Sequence, residues 1–147
     1  MADNDAFRLS LAAWADKVPD KLEAVGRVAI QDLCEAVIDD TRIDTGFLVG
    51  NWQPSLKPPG SDVVEQPEEF AGKEGGEADK GRSTAKLAGV IPQLKGAYTF
   101  WMTNNANYAR YREFGTSTQV GDLMVQRNLA RWRQFVEGAI VKLGLNK

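Results

Sequence analysis

The residue types that do chemistry in most small proteins are scarce in this chain. Among 147 residues there is no histidine and one cysteine, Cys34, so the commonest general base and metal ligand is missing and no internal disulfide can form. Cys34 falls mid-helix between apolar neighbours, with no histidine to favour its thiolate, and reads as a core residue. Serines and threonines face the same objection, and no spacing suggests a Ser–Lys pair. The densest carboxylate cluster outside the acidic middle is Asp39-Asp40 with Asp44. Neighbours on a helix diverge by about 100°, so Asp39 and Asp40 do not converge on one ion and read as a solvated helix end. Gly72-Lys73-Glu74-Gly75-Gly76 has the glycines and lysine of a phosphate loop, but neither its strand–loop–helix setting nor its lysine–hydroxyl ending. Arg127, Arg131 and Arg133 around Trp132 form an element of strand-binding surfaces, although Trp132 sits on an apolar stripe and reads as core. The sequence therefore assigns no catalytic, cofactor-binding or metal-binding residue.

The elements that must position any site follow from composition and periodicity. With 43% hydrophobic and 26% charged residues, the chain is expected to fold as one domain, 1–147. The net charge of −2 supplies no global basic field, but the charge is unevenly divided. Residues 1–43 carry nine acids and five bases, residues 60–81 seven acids and two bases, and residues 82–147 three acids and ten bases. Solvated helix faces with a polar loop would give such a division. It would equally steer copies of the chain head to tail. The acidic start is unlike a secretory signal and no apolar run approaches the ~20 residues of a membrane span. The expected location is the cytosol of the producing cell, or a particle assembled there.

A first helix is expected over 3–17, with Phe7, Leu11, Trp14 and Val18 on one stripe. Val18-Pro19 is expected to interrupt it. A longer helix should follow over 19–42, with Leu22, Val25, Ala29, Leu33 and Val37 as its stripe, widened by Val28, Ile30, Cys34 and Ile38. Asp44-Thr45-Gly46 reads as a stop and turn, and 47–56 as a short turn leading into a strand anchored by Trp52. Residues 57–82, rich in Gly, Pro and acids, read as a mobile loop or arm. A short helix over 83–94 should present Ala85, Ala88 or Gly89, and Val90, ending at Pro92. The strand Ala97–Thr103 should place Tyr98, Phe100 and Met102 on one face. In the compact turn 107–114, Tyr108, Tyr111 and Phe114 at i, i+3 and i+6 should dock inward, leaving Glu113, Arg110 and Arg112 outward. The last helix is expected over 122–143, capped by Asp122 and Gly144, on a stripe of Val125, Leu129, Trp132, Val136, Ile140 and Leu143. The order gives an α+β fold: a small, mostly antiparallel sheet against long N- and C-terminal helices, with a long mobile acidic loop.

Two segments are distinctive in wording. The first holds Asp44, Thr45, Gly46, Phe47 and Leu48, then Asn51-Trp52. The second holds Asn104-Asn105, Tyr108-Ala109, and Glu113-Phe114-Gly115-Thr116-Ser117, followed by Gln119. Together, in this order around a variable middle, they resemble the tail-completion and head–tail joining proteins of long-tailed bacteriophages, the lambda-type minor tail protein Z group and its relatives. Members often follow the second motif with lysine-glutamine-alanine-proline; this chain keeps the glutamine and loses the proline. The resemblance implies a non-enzymatic virion protein of the neck or upper tail that takes no cofactor. It would form a homo-oligomeric ring, expected as a hexamer, contacting head connector or stopper proteins on one side and tail tube or terminator proteins on the other. Genome DNA would pass through the channel without sequence-specific binding. Tail terminator and head-closure proteins of the same neck are close alternatives, and a nucleic-acid-binding accessory protein is a rival from another class.

Overall fold

A computed structural model describes the backbone of residues 2–146 and the side chains of residues 17–146. Among the described residues the chain forms six α-helices and one two-stranded antiparallel sheet, an α+β fold with long helices. The helices are α1 (Ala2–Asp40), α2 (Phe47–Gly50), α3 (Gly76–Val90), α4 (Ala109–Phe114), α5 (Met124–Leu129) and α6 (Trp132–Lys142), and the strands β1 (Trp52–Ser55) and β2 (Trp101–Asn104).

Helix α1 runs unbroken through Pro19, where the sequence reading placed an interruption. Proline's fixed φ is itself helical; what it removes is one N–H and room beside the carbonyl four residues back. The helix accommodates that local loss. The stripe of Phe7, Leu11 and Trp14 lies outside the described side chains. Further along, Ala29, Cys34, Val37 and Ile38 are buried, whereas Leu22, expected on the same stripe, is 66% exposed. The core joins Cys34, Val37 and Ile38 of α1 to Leu48, Val49, Trp52, Leu87, Ile91, Leu94, Ala106 and Met124. Tyr98, Phe100 and Met102 pack against it, on the shared face that alternation in an extended segment requires.

The sheet is shorter than the expected 97–103. Trp52 pairs with Asn104 and Ser55 with Trp101, and there pairing stops. Beyond Ser55 the chain runs through Leu56 and Lys57 into Pro58-Pro59, which have no N–H to offer a ladder.

The segment 57–75 contains only two short 3-10 turns, Glu68–Phe70 and Lys73–Gly75, and α3 then begins at Gly76. The expected loop thus ends well before residue 82. Glycine is a poor helix former, but a Cβ at Gly76 would overlap Ile43 Cγ2, so glycine here lets α3 seat against the turn after α1. The face that α3 buries is Asp79, Ser83 and Leu87, at i, i+4 and i+8. Ala85, Ala88 and Gly89, the positions expected to pack, are exposed.

The last helix is two. Around Ala130 and Arg131 the chain leaves α geometry, with Arg131 N–H bonding to Asn128 O at 3.0 Å. Asn128, fully buried, donates to Asp40 Oδ2 and to Met124 O, both at 2.8 Å. This ties α5 to the end of α1. Helix α6 then packs along α1, where Lys142 reaches Asp32 at 2.7 Å. The reorientation leaves Leu129 at 53%, Trp132 at 40% and Leu143 at 38% exposed, against their expected place in a continuous apolar stripe. At the end of α6, Gly144 takes φ +66, and the N–H groups of Gly144 and Leu145 bond to Val141 O and Ile140 O. That is the glycine-terminated cap expected from the sequence.

Candidate functional site

The two motif segments, distant in sequence, are built into one node. In the first, Gly46 has φ +90, and any Cβ there would overlap Asp79 Oδ2 and stand 3.1 Å from the Gly76 backbone. Glycine is required on both counts. The turn releases α2, whose Leu48 and Val49 are buried, and delivers Trp52 to the core. The Trp52 indole N–H donates to Thr41 Oγ1 at 2.8 Å, and that hydroxyl donates to Val37 O at 2.7 Å. A buried tryptophan is thereby satisfied.

The asparagine pair of the second motif clamps this turn and the acidic segment. Asn104 Nδ2 donates to Leu48 O at 2.8 Å, and its Oδ1 accepts from Ala106 N–H at 3.2 Å. Asn105 Nδ2 lies 2.9 Å from Gly60 O and 2.8 Å from Asp62 O. Asn51 pairs reciprocally with Val64, its Oδ1 accepting at 2.7 Å and its Nδ2 donating at 3.1 Å. Gln53 Nε2 donates to Asp62 O at 3.0 Å. Side-chain bonds to backbone thus run along 60–64, where there is little apolar surface to bury.

Beneath the turn lies an ion pair whose carboxylate is buried and whose guanidinium is part-exposed. Asp79, fully buried, meets Arg82 Nη2 at 2.5 Å, and the Arg82 guanidinium stands 5.6 Å from the centre of the Phe70 ring. Gln66 Nε2 is 2.6 Å from Thr45 O, 2.7 Å from Phe70 O and 2.6 Å from Asp79 Oδ2, three acceptors for two N–H donors. Neither Gln66 nor Asp79 carried a sequence signal, because the bonds that tie them to the turn and to each other span 21 and 13 positions.

Above these groups is an open cleft of about 860 Å³, lined from the first motif by Asp44, Thr45, Gly46, Phe47 and Leu48, and from the second by Tyr108, Arg112 and Gln119. Arg42 and Lys73 complete a rim with more cations than anions. Tyr108 packs on Phe47, with ring centres 6.2 Å apart. Burial pushes the Tyr108 phenol above its ordinary pKa, against opposing pulls from the Thr45 hydroxyl and Arg112. The Arg112 guanidinium is held by Asp122 at 2.6 Å, so Asp122 pairs with an arginine where the sequence reading made it a helix cap.

The cap is Glu113. Its Oε2 accepts from Val125 N–H at 3.0 Å and its Oε1 from Gln126 N–H at 2.9 Å, the second and third residues of α5. A carboxylate at that point meets the orphan donors and the positive end of the helix together. Glu113 is 6% exposed, whereas Tyr111 and Phe114 are each 60% exposed. The expected orientation is therefore reversed for three residues: the glutamate turns in and two aromatics turn out, and only Tyr108 packs inward. Gly115, at φ +81, makes this possible. A Cβ there would overlap Gln119 O and Gly121 N, so its absence closes the small loop in which Gly115 bridges to Val120. Ala109 packs at the core edge, while Ser117 is exposed on that loop.

Elsewhere, burial and pairing shift Cys34, Lys86 and Lys80. Burial pushes the Cys34 thiol up to about 12, which keeps it un-ionised and unreactive. Lys86 donates to Gly50 O at 3.2 Å and is pushed below its ordinary pKa by burial. Lys80 is raised by its hydrogen bond to Asp39, which it meets at 2.6 Å. Among the described residues, no three His, Cys, Asp or Glu side chains are grouped so as to hold a metal ion, and no helix is long and apolar enough to cross a membrane. No family model, curated protein or solved structure matches the chain.

Proposed function

We propose that this protein is a structural subunit of the neck or upper tail of a long-tailed bacteriophage, forming a homo-oligomeric ring that completes the tail and joins it to the head connector, without catalytic activity. One observation carries the reading. Leu48 and Asn104, 56 positions apart and each inside one of the two motifs, are bonded to each other, and the motif residues around them serve architecture. Gly46 and Gly115 permit turns, Asn104 and Asn105 clamp backbone, Trp52 anchors the core and Glu113 caps a helix. What this framework presents outward is a fixed surface with aromatic side chains on it, which is what a joining subunit needs. The partners on this reading are further copies of the chain, a connector or stopper above and a tube or terminator below, with DNA passing through.

The test is to assemble particles without the chain and image them in negative stain. Separate filled heads and tails of normal length are the expected result, restored to joined particles by supplying the protein. Joined, infectious particles in its absence would refute the proposal. A nucleic-acid-binding role is favoured by one observation, the 40% exposure of Trp132 between Arg131 and Arg133. Against it, Arg133 is paired with Glu137 and Arg127 with Asp40. Retention of DNA that persists at high salt would decide for it.

A further inference from the structure

We infer that the exposed aromatic corner of α4 docks on the acidic segment 62–77 of a second copy of this chain, a heterologous contact that repeats from subunit to subunit. The inference rests on the ring-forming reading above and says which two surfaces meet.

Tyr111 and Phe114, three residues apart on α4, share one side of that helix, each 60% exposed. The bridge between Gly115 and Val120, with the bond from Leu123 N–H to Glu113 O, brings Val120 and Leu123 to the same corner. Val120 is 90% exposed. Two exposed aromatics on one side of a helix, with the exposed Val120 and Leu123 brought near by these backbone bonds, have the make-up of an interface centre. The charge beside them is positive: Arg110 is exposed on α4 and forms no ion pair among the described residues.

Patch against patch would bring like charges together, which disfavours a symmetric pairing. The complementary surface is on the same chain. Asp62, Glu65, Glu68, Glu69, Glu74 and Glu77 are all exposed, and among the described residues none of the six has an ion-pair partner. Asn51, Gln53, Gln66 and Asn105 hold the backbone of this segment at Asp62, Val64 and Phe70, and Lys73 is the one base among these carboxylates. Val63, 42% exposed among them, offers apolar contact for an aromatic ring. Two different, mutually attractive patches on one subunit give a head-to-tail contact, which closes into a ring when the rotation permits.

The experiment uses single introduced cysteines, Phe114→Cys and Glu68→Cys, in the full chain, with a short bismaleimide crosslinker. Cys34 is buried and does not compete. Both substituted positions are exposed, and circular dichroism checks that each variant is folded. An equimolar mixture is expected to give crosslinked dimer several-fold above either variant alone. The chain carrying both cysteines should give a ladder, and added salt should reduce each product. A mixture no better than its components, or crosslinking of Phe114→Cys mainly to itself, overturns the inference. Sedimentation velocity of the unmodified protein separates the two failures. Concentration-dependent association without the ladder places the contact elsewhere and leaves the ring reading standing. Monomer at every concentration, with no crosslink, removes this contact, and the imaging of particles then decides the ring reading by itself.

Discussion

Replacing Glu113 tests the reversal of α4 directly, because the stability ranking of adjacent residues depends on which side chain faces in. In the structure its carboxylate accepts two hydrogen bonds, at 2.9 and 3.0 Å, from the first turn of α5, in a residue 6% exposed. Net contributions of about 1.5–3 kcal/mol attach to hydrogen bonds made by charged groups, and losing a helix cap costs about 0.5–2 kcal/mol. The two descriptions overlap, so they are not summed. Glu113→Ala is expected to cost about 2–4 kcal/mol, since two N–H donors at a partly buried helix start lose a charged acceptor. Glu113→Gln keeps one acceptor but turns an amide donor toward the other N–H, and should cost about half as much. For a chain of this length, about 2–4 °C per kcal/mol puts the melting shift of the alanine variant at roughly 4–16 °C. Phe114→Ala, one position on but exposed, should stay within about 0.5 kcal/mol. Urea unfolding followed by circular dichroism measures all three, with the midpoint moving and the slope unchanged. A Glu113→Ala loss under about 0.5 kcal/mol, or a Phe114→Ala loss larger than that of Glu113→Ala, would refute the reasoning.

Two further outcomes follow from the burial of Cys34 and the early start of α3. The folded thiol is pushed up to about 12 from an ordinary 9.0, so above pH 9 the unfolded chain releases a proton that the folded chain keeps. Stability must therefore fall as pH rises through that window, by about 1.4 kcal/mol at pH 10. Urea unfolding of the native protein and of Cys34→Ala at pH 8 and 10 should differ by that slope; equal slopes would show the thiol ionising freely in the fold. Under limited trypsin, the first cut in the 57–82 region should fall after Lys73, in the exposed turn before α3. Lys57 precedes proline, while Lys80 and Arg82 lie within α3 and are paired to Asp39 and Asp79. A first cut after Arg82, identified by mass, would show that α3 starts later.

What was legible in the sequence was what local chemistry encodes. Gly46, Gly115 and Gly144 marked the turns because each takes a positive φ. Trp52 marked the core, and the two motifs marked segments that lie together. What was not legible depends on partners far along the chain. Glu113 caps a helix that begins eleven residues later, so no capping-box spacing announced it, and on the six-residue α4 aromatic periodicity did not decide which side faces in. Residues 76–82 read as loop because two glycines argue against helix. There, tertiary fit overrode propensity: Gly76 admits Ile43, and Asp79 with Arg82 fills the space beneath the Gly46 turn. Trp132 lay on a sound apolar stripe, but the stripe presumed one straight helix, and the break after α5 rotated it out.

The same distinction bears on function. On the proposed reading, the polar side chains of 44–52 and 104–119 should be engaged in holding chain segments together. Several of them do turn toward backbone: Asn104 to Leu48 O, Asn105 to Gly60 O and Asp62 O, Glu113 to two amides of α5, with Gln66 reaching in to Thr45 O. Each of these bonds fixes the relation of two chain segments, and their joint effect is to hold the acidic stretch and the α4 corner in set positions on one subunit. Amide-to-backbone clamps do not require a large core, which suits a small sheet of two short strands. They make a surface rigid with little buried area, and a surface already rigid loses less freedom when a partner docks on it.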